Sequence, residues 1–441
     1  MQAVNQANFV RSVYIVDGMR TPWIKVRGGP GSFSAADLAV QASRYLLARQ
    51  TFTPDQLDEL VTGCVMPSPD ETNISRVIAL RLGCGKAVPA YTVQRNCASG
   101  MQAIDSAALD IACGRYDLVL AGGTEAMSQA PLLLNSGMTA WLAAWNVAKT
   151  FFDRMRLLSQ FKLKYLVPVI ALLRGLTDPM TGLSMGQTAE IIAHRFGITR
   201  ENMDEFAWQS HQRLAAAQDA GIFKDELNPI YDRENHYYSS DSGLRRDTSL
   251  EKLARLKPFF DKPFGLVTAG NSSQVTDGAA FLVLASEKAV QQYQLPILAR
   301  IVDVVWAGVE PSEMGLAPVH AVSLLLKKQQ LAFNSIDFWE INEAFAGQVL
   351  ACLAAWQDID YCKTQLGLTE ALGRLDPAIL NIDGGAIAMG HPVGASGARI
   401  VLHLAHVLKR KHARFGIAAL CIGGGQGGAL LLEYADKTGV L

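Results

Sequence analysis

Short apolar runs alternate with amphipathic stretches along the first quarter of the chain, and this alternation predicts strands joined by helices. The predicted strands cover residues 13–16, 60–65, 88–93 and 118–121, and a glycine pair at 122–123 is expected to close the last one. The predicted helices cover 33–47, with Ser34 as cap, 73–82, and the stretch after Cys97. This rhythm favours an α/β fold, with a parallel or mixed sheet covered by helices on both faces.

The second half of the chain repeats this plan. It carries predicted strands at 299–305, 337–341, 380–382, 416–421 and 429–433, with helices at 317–329, 343–356 and 395–409. The tripeptide Ala98-Ser99-Gly100 opens one helix, and Ala395-Ser396-Gly397 opens its counterpart. Because motif, helix and following strand all match, we interpret the two halves as a duplication. Ligand sites are expected where loops of the two halves meet.

Residues 124–257 break the rhythm. The stretch 185–220 is helical and amphipathic, with a helix start predicted at Thr199. The stretch 131–179 mixes apolar residues with six Lys and Arg residues and only two acidic ones, Asp153 and Asp178. Such a pattern favours a helical cap over an active site or a protein interface, and the alternative is a segment lying on an anionic membrane. Its apolar run at 165–173 is too short to span a bilayer.

Composition excludes several classes of protein. The 441 residues are 49% hydrophobic with a formal net charge of −1, which is typical of a compact soluble enzyme of two or three domains and gives no reason to expect nucleic-acid binding. The seven cysteines include no CxxC pair, so neither a disulfide framework nor a zinc site is expected. No secretory leader or spanning segment is visible, and a cytoplasmic location is the simplest expectation.

Four segments contain candidate reactive groups. Cys97 lies where a strand turns into a helix, so helix N–H groups could stabilise a thiolate, although a buried structural cysteine is equally compatible with this stretch alone. Asn342 follows a predicted strand and could instead cap the next helix. His391 stands in a glycine-dense loop, and Cys421 precedes a run of glycines whose N–H groups could face a ligand. Together they indicate a Cys/His enzyme of the acyl-transfer type.

These segments also carry a family resemblance. Cys97-Ala-Ser-Gly100, Asn342-Glu-Ala-Phe345, Gly390-His-Pro-Val-Gly-Ala-Ser-Gly397 and Cys421-Ile-Gly-Gly-Gly-Gln-Gly427, in this order, resemble the thiolase family over about 13–433. The resemblance implies two halves in five layers, αβαβα, with an inserted loop domain, and assembly into homodimers or homotetramers. It places the first half at 9–123 plus 258–290, the loop domain at 124–257 and the second half at 291–441.

The same resemblance implies a role for each residue. Cys97 attacks a 3-ketoacyl-CoA and carries the acyl group, His391 activates it and binds the thioester oxygen, and Cys421 is the acid/base. Asn342 holds a water of the first oxyanion hole, and the N–H groups of Cys97 and Gly423 form the second. Ser273, in the segment 267–278, contacts the pantetheine of coenzyme A, which is a substrate. No metal and no permanently bound cofactor are implied.

The preferred activity is that of an acetyl-CoA C-acyltransferase of fatty-acid β-oxidation. Biosynthetic acetoacetyl-CoA thiolases often carry His where this chain has Ser184, which weakens the alternative, an acetyl-CoA C-acetyltransferase. The insertion 131–179 resembles that of thiolase subunits in trifunctional-type complexes and implies a hydratase/dehydrogenase partner, although those subunits usually carry His at the position of Asn342. A decarboxylating ketoacyl synthase is disfavoured by Cys421. A non-catalytic lipid-binding member is a remote alternative.

Overall fold

Strands and helices alternate through both halves of the computed structural model, which describes residues 11–434. The strands are β1 (Val13–Arg20), β2 (Ile24–Lys25), β3 (Glu59–Gly63), β4 (Ala90–Val93), β5 (Leu118–Ala126), β6 (Leu132–Leu133), β7 (Val169–Ile170), β8 (Ile230–Tyr231), β9 (Tyr237–Tyr238), β10 (Thr276–Ser286), β11 (Ala299–Gly308), β12 (Phe338–Ile341), β13 (Phe415–Ile422) and β14 (Gln426–Glu433). The helices are α1 (Ala35–Ala48), α2 (Ile74–Leu82), α3 (Ser99–Ala112), α4 (Ser136–Val147), α5 (Phe151–Ser159), α6 (Ala171–Gly175), α7 (Met185–Arg195), α8 (Arg200–Asp219), α9 (Leu250–Ala254), α10 (Glu287–Tyr293), α11 (Ala317–Gln329), α12 (Ala346–Gln357), α13 (Ile359–Leu366), α14 (Ala386–Met389) and α15 (Val393–Lys411).

Polar side chains set the helix starts where the sequence predicts them. The Ser34 hydroxyl accepts a hydrogen bond from the Asp37 N–H, and the Asp37 carboxylate accepts one from the Ser34 N–H, which completes a capping box at α1. Thr199 caps α8 in the same way with Asn202. Gly197, with φ of 62°, separates α7 from α8, so the predicted helical stretch 185–220 consists of two helices.

Three predictions about strands are wrong. β5 does not close at Gly122 but runs on to Ala126, and the sequence prediction lacks the eleven-residue strand β10 beside it. The predicted strand 380–382 is absent because Leu380 forms only one bridge, with Trp339, and the chain turns at Asn381, whose φ is 45°. The Asn381 side chain instead bonds to both the N–H and the carbonyl of Ile341, at 2.9 Å each.

One mixed sheet runs through both halves. Its strand order is β12-β13-β14-β11-β1-β10-β5-β3-β4, and β2 pairs with β10. Antiparallel pairing of Val13–Ile15 in β1 with Ala299–Ile301 in β11 joins the strands of the first half to those of the second. Both halves therefore share one continuous hydrogen-bonded framework.

Successive side chains of these strands face different cores, as the period of a strand requires. Val13 and Ile15 pack with α3 and α15, whereas Tyr14 and Val16 pack with α1 and α2. In β13, Ala418 also faces α3 and α15, while the opposite face packs on α11 and α12. Helices α3 and α15 therefore lie between the strands of the first half and the strands of the second half. Helices α1 and α2 cover the outer face of the first set of strands, and α11 and α12 cover the outer face of the second set. The predicted five-layer αβαβα architecture is confirmed.

The residues between β5 and β10 divide into two parts. Helices α7 and α8 pack on the second half through buried residues such as Ile192 and Met203. Residues 131–177, by contrast, contain no buried residue. None of the helices within residues 11–434 is long and apolar enough to cross a membrane.

Candidate active site

Cys97 sits in a tight turn between β4 and α3. Asn96 before it has φ of 43°, and its side-chain amide donates to the Gly423 carbonyl at 2.7 Å, which ties the turn to the β13–β14 connection. The Ser99 hydroxyl donates to the Asn96 carbonyl at 2.7 Å and accepts from the Arg95 N–H at 2.9 Å. These bonds hold the largely buried Cys97 at the start of α3, as predicted.

Two effects of the surroundings shift the pKa of Cys97 in opposite directions. Burial raises the pKa of the thiol above its ordinary value, while the N–H groups of Gly423 and of Cys97 itself lower the pKa by stabilising the thiolate. The net direction is upward, so the resting sulfur is protonated at neutral pH. A base must therefore take this proton when the sulfur becomes a nucleophile.

His391 is held as a neutral base. It follows Gly390, whose φ is 118°, and its N–H donates to the Gln274 carbonyl at 3.0 Å. Burial, together with the charge of Arg399, lowers the pKa of this imidazole to about 4. The Ser396 hydroxyl donates to the Pro392 carbonyl at 3.0 Å, so its oxygen accepts from Nδ1–H of His391 at 2.6 Å. This arrangement makes Nε2 the ring nitrogen that carries a lone pair and can accept a proton.

Asn342 faces the same ring nitrogen. Its Nδ2 lies 3.5 Å from Nε2 of His391, and its N–H donates to the Ala419 carbonyl of β13 at 2.9 Å. The side-chain oxygen is buried and has no hydrogen-bond partner among the described residues. A buried amide oxygen in this state is available to a water or a ligand. The alternative role as a helix cap is wrong, because α12 begins only at Ala346 with Phe345 at its cap position.

Cys421 is buried near the end of β13. Burial, and then the neighbouring charge of a Cys97 thiolate, raise the pKa of this thiol well above its ordinary value. Cys421 is therefore a proton donor at neutral pH, and it lies close enough to sense the charge of Cys97. This pairing brings together two cysteines that are separated by most of the chain.

Gly423 and Ser273 complete the predicted set. Gly423 offers its N–H to Cys97 and its carbonyl to Asn96, and the next two glycines take φ of 90° and 77°, values that favour glycine. The N–H of Ser273 donates to the Ala344 carbonyl at 3.0 Å, so the loop carrying Ser273 runs between the segments of Asn342 and His391. All six predicted residues therefore belong to loops and strand ends that are bonded to one another.

Glu125 is a residue that the sequence analysis missed. Its buried carboxylate accepts from the N–H groups of Val65 at 2.9 Å, Met66 at 3.1 Å and Gly394 at 3.1 Å, so it links the loop after β3 to the first turn of α15. Burial raises the pKa of Glu125 to about 7, against the opposing effect of these N–H donors. The only signal in the sequence is an acidic residue inside an apolar strand.

Glu343 is a second missed anchor, although it lies within a predicted motif. Its carboxylate accepts from the Ser210 hydroxyl at 2.7 Å, from the Asn381 amide at 2.8 Å and from the Ile387 N–H at 3.2 Å. These bonds connect the turn of Asn342 to α8 and to the segment leading to His391. The residue that follows Asn342 is thereby anchored to three other segments.

Comparison with known proteins identifies the family to which the chain belongs. A family model described as the thiolase N-terminal domain matches residues 13–288, and one described as the thiolase C-terminal domain matches residues 295–434. The chain belongs to the thiolase family. This thiolase is accordingly an acyltransferase, as predicted, of a family that uses coenzyme A as a substrate.

Relatives of the thiolase carry more than one substrate name. It is 39% identical over 428 residues to the mitochondrial 3-ketoacyl-CoA thiolase of Homo sapiens, covering 96% of this chain and 98% of that protein. It is 38% identical over 430 residues to the beta-ketoadipyl-CoA thiolase of Acinetobacter baylyi, covering 96% and 100%. The crystal structure of human mitochondrial 3-ketoacyl-CoA thiolase in complex with CoA superposes with a TM-score of 0.83 at 37% identity, covering 97% and 99%.

Proposed function

We propose that this thiolase cleaves 3-ketoacyl-CoA with coenzyme A, as an acetyl-CoA C-acyltransferase of fatty-acid β-oxidation. The observation that carries the proposal is one set of bonded loops that holds two groups: the thiol of Cys97, which faces the Gly423 N–H, and the neutral imidazole of His391, whose Nδ1–H is bonded to Ser396 and whose Nε2 faces Asn342. A thiol can become a nucleophile by transferring its proton to a neutral imidazole as it attacks.

In the first half-reaction, the Cys97 sulfur bonds to the C3 carbonyl carbon while its proton passes to Nε2 of His391. The bond between C2 and C3 then breaks, leaving an acyl group on Cys97 and a carbanion on acetyl-CoA. Cys421, protonated because burial raises its pKa, gives its proton to that carbanion. The Cys421 thiolate so formed takes the proton of the incoming coenzyme A, whose sulfur attacks the acyl group and releases it from Cys97. The proton held on Nε2 of His391 then returns to the Cys97 sulfur, which restores the starting state.

Two sets of donors stabilise the oxyanions of these steps. The N–H groups of Gly423 and Cys97 point at the sulfur and serve the oxygen of the tetrahedral species formed on Cys97. A water on Asn342, together with His391, serves the thioester oxygen of the acetyl-CoA enolate. One such donor contributes about 2.7–4 kcal/mol to the transition state. Ser273 contacts the pantetheine arm of coenzyme A in this scheme.

The preference for degradation draws support from Ser184. Its hydroxyl accepts from the Gln187 N–H and lies 3.0 Å from the side-chain oxygen of Gln187, so it is occupied in capping α7. Met185 follows it, and its sulfur lies 3.2 Å from the position that a Cβ on Gly423 would take. The chain therefore offers a hydroxyl engaged in a helix cap, and no imidazole, at the position where biosynthetic thiolases often carry His.

The test is kcat/KM for thiolysis across 3-ketoacyl-CoA substrates of rising chain length, with beta-ketoadipyl-CoA as a separate substrate. We expect efficiency to rise beyond acetoacetyl-CoA. Activity confined to acetoacetyl-CoA would support the alternative, an acetyl-CoA C-acetyltransferase that condenses two acetyl-CoA molecules. A preference for beta-ketoadipyl-CoA would assign the substrate named for the Acinetobacter relative.

Cys97→Ala is expected to abolish thiolysis without unfolding the chain. The matched control is Cys113→Ala, which removes an exposed cysteine at the end of α3 and should leave thiolysis unchanged. Turnover by Cys97→Ala would refute the mechanism. Absence of turnover by the wild type with every substrate would favour a non-catalytic, lipid-binding protein.

Assembly and location remain predictions. A homodimer or homotetramer is supported by β4, an edge strand of the sheet that leads directly into the turn of Cys97. Light scattering on the purified protein measures the assembly, and a monomer at working concentration would contradict it. The hydratase/dehydrogenase partner is tested by co-purification at endogenous levels, and fractionation tests the cytoplasmic location.

A further inference from the structure

The two ends of the basic-apolar insertion, residues 131–179, lie side by side where the insertion joins the rest of the protein. Leu132 pairs with Ile170 and Leu133 with Val169 in the antiparallel ribbon of β6 and β7, and the Ala171 N–H donates to the Pro131 carbonyl at 3.1 Å. Helices α4 and α5 lie between the two ends of this ribbon. The insertion is thus a small separate unit on the surface.

A few aromatic rings hold the insertion together. Trp141 stacks on Trp145 with centroids 5.2 Å apart and meets the edge of Phe161 at 5.1 Å, and Phe161 in turn meets Tyr165 at 5.8 Å. The indole N–H of Trp141 donates to the Leu157 carbonyl at 2.9 Å. These rings are themselves only half-buried, so they do not form a core that covers the remaining apolar side chains.

Most large apolar side chains of the insertion face solvent. Phe152 is 83% exposed, Leu163 80%, Val147 75% and Phe151 72%. The other exposed apolar residues of this segment are Leu132, Leu133, Leu134, Leu142, Met155, Leu158, Leu166, Val167, Ile170 and Leu173. A monomer rarely leaves so many large apolar side chains of one short segment in water, so this surface is expected to bind something.

The charges on this surface are mostly positive. Its exposed basic residues are Lys149, Arg154, Arg156, Lys162, Lys164 and Arg174. None of them forms an ion pair with a carboxylate of residues 11–434. The one exposed acid among them, Asp153, is bonded to the Thr150 hydroxyl at the start of α5. Cations and apolar side chains alternate directly, as in Lys162-Leu163-Lys164.

We propose that the insertion binds the surface of an anionic membrane. Its apolar side chains would enter the boundary between headgroups and acyl chains, while the lysines and arginines reach the lipid phosphates. A second copy of the same surface is disfavoured because it would bring the six unpaired cations against one another. The proposal is independent of the thiolase reaction, since the insertion contributes none of the catalytic residues.

The test is co-sedimentation of the full chain with vesicles of phosphatidylcholine, with and without phosphatidylglycerol, at low and physiological salt. Removing two cations is expected to weaken binding by about 30-fold, because each basic residue near an anionic surface contributes about 1 kcal/mol. The variant is Lys162→Gln with Lys164→Gln. The matched control removes two exposed lysines outside the insertion, Lys327→Gln with Lys363→Gln, and should bind as the wild type does.

A second variant, Phe151→Ser with Phe152→Ser, tests the apolar contribution. We expect weaker binding to anionic vesicles even at low salt, with thiolysis and melting temperature unchanged. Equal binding of the wild type to neutral and anionic vesicles would overturn the proposal, as would equal binding of the lysine variant and its control. Binding to no vesicle, with capture of a hydratase/dehydrogenase subunit instead, would assign this surface to a protein partner.

Discussion

Helices α3 and α15 cross so closely at Gly397 that replacing this glycine by alanine is predicted to destabilise the protein, although such a change usually stabilises a helix. A Cβ on Gly397 would lie 2.7 Å from the N of Met101 and 2.9 Å from its Cβ. Replacing a helical glycine by alanine normally stabilises a helix by about 0.5–1 kcal/mol. Overpacking a core costs about 1–3 kcal/mol, and we expect the upper end because the clash involves backbone. Gly397→Ala should therefore destabilise the protein by about 2 kcal/mol.

The same substitution should reduce catalysis, because α3 carries Cys97 at its start and α15 follows His391. A displacement of about 1 Å between reacting groups can lower kcat by about 100-fold. We expect kcat to fall at least tenfold with a smaller change in KM. The assays are urea unfolding and steady-state thiolysis on the same preparations.

The control for this prediction is Gly175→Ala. Gly175 ends α6 in the insertion, and a Cβ there would meet no atom within 4 Å, so the helix gains without a clash. Gly175→Ala should leave stability and kcat unchanged or slightly improved. If Gly397→Ala were as stable and as active as the wild type, the helices would not be packed as closely as described.

Three further predictions concern charge and proton transfer. Glu125→Gln weakens the bond to the Gly394 N–H, so it should lower kcat clearly while changing the melting temperature little. It should also shift an acid limb near pH 7 in the pH profile of kcat. An unchanged pH profile would argue against the anchoring role of Glu125. The rate of alkylation of Cys97 by iodoacetamide should rise with pH, with an apparent pKa for the thiol above the ordinary value of about 8.5. A rate that is already constant at neutral pH would indicate a preformed thiolate. Burial alone would lower the pKa of His403, but the carboxylates of Glu226 and Asp383 outweigh it and raise the pKa to about 10. Because that value exceeds about 6.5 for the unfolded chain, the contribution of His403 to stability is complete below pH 6.5 and lost towards pH 10, so melting curves of His403→Gln should depend less on pH than those of the wild type.

Local patterns predicted much of the fold. Ser34 and Thr199 cap their helices as expected because capping depends on residues within one turn. The repeated Ala-Ser-Gly tripeptide indicated a duplication, and the structure places Gly100 against Ala398 and Gly397 against Met101, one glycine from each half. The domain boundaries remain predictions.

Contacts between distant residues could not be predicted. β10 begins in a glycine- and serine-rich segment that resembles a loop, and it becomes a strand through pairing with β1 and β5. The bonds from Asn96 to Gly423 and from Glu125 to Gly394 each cross between the halves. The motifs therefore named the candidate residues, whereas the groups that hold them appeared only once both halves were packed together.

The central claim is that Cys97 carries the acyl group. The most direct measurement mixes the wild-type protein with a 3-ketoacyl-CoA in the absence of free coenzyme A, quenches with acid and maps modified peptides by mass spectrometry. The account predicts an acyl group two carbons shorter than the substrate on the peptide containing Cys97, removed when coenzyme A is added before the quench. Acylation of Cys421 or of another residue in place of Cys97, or product formation with no acylated peptide, would contradict it.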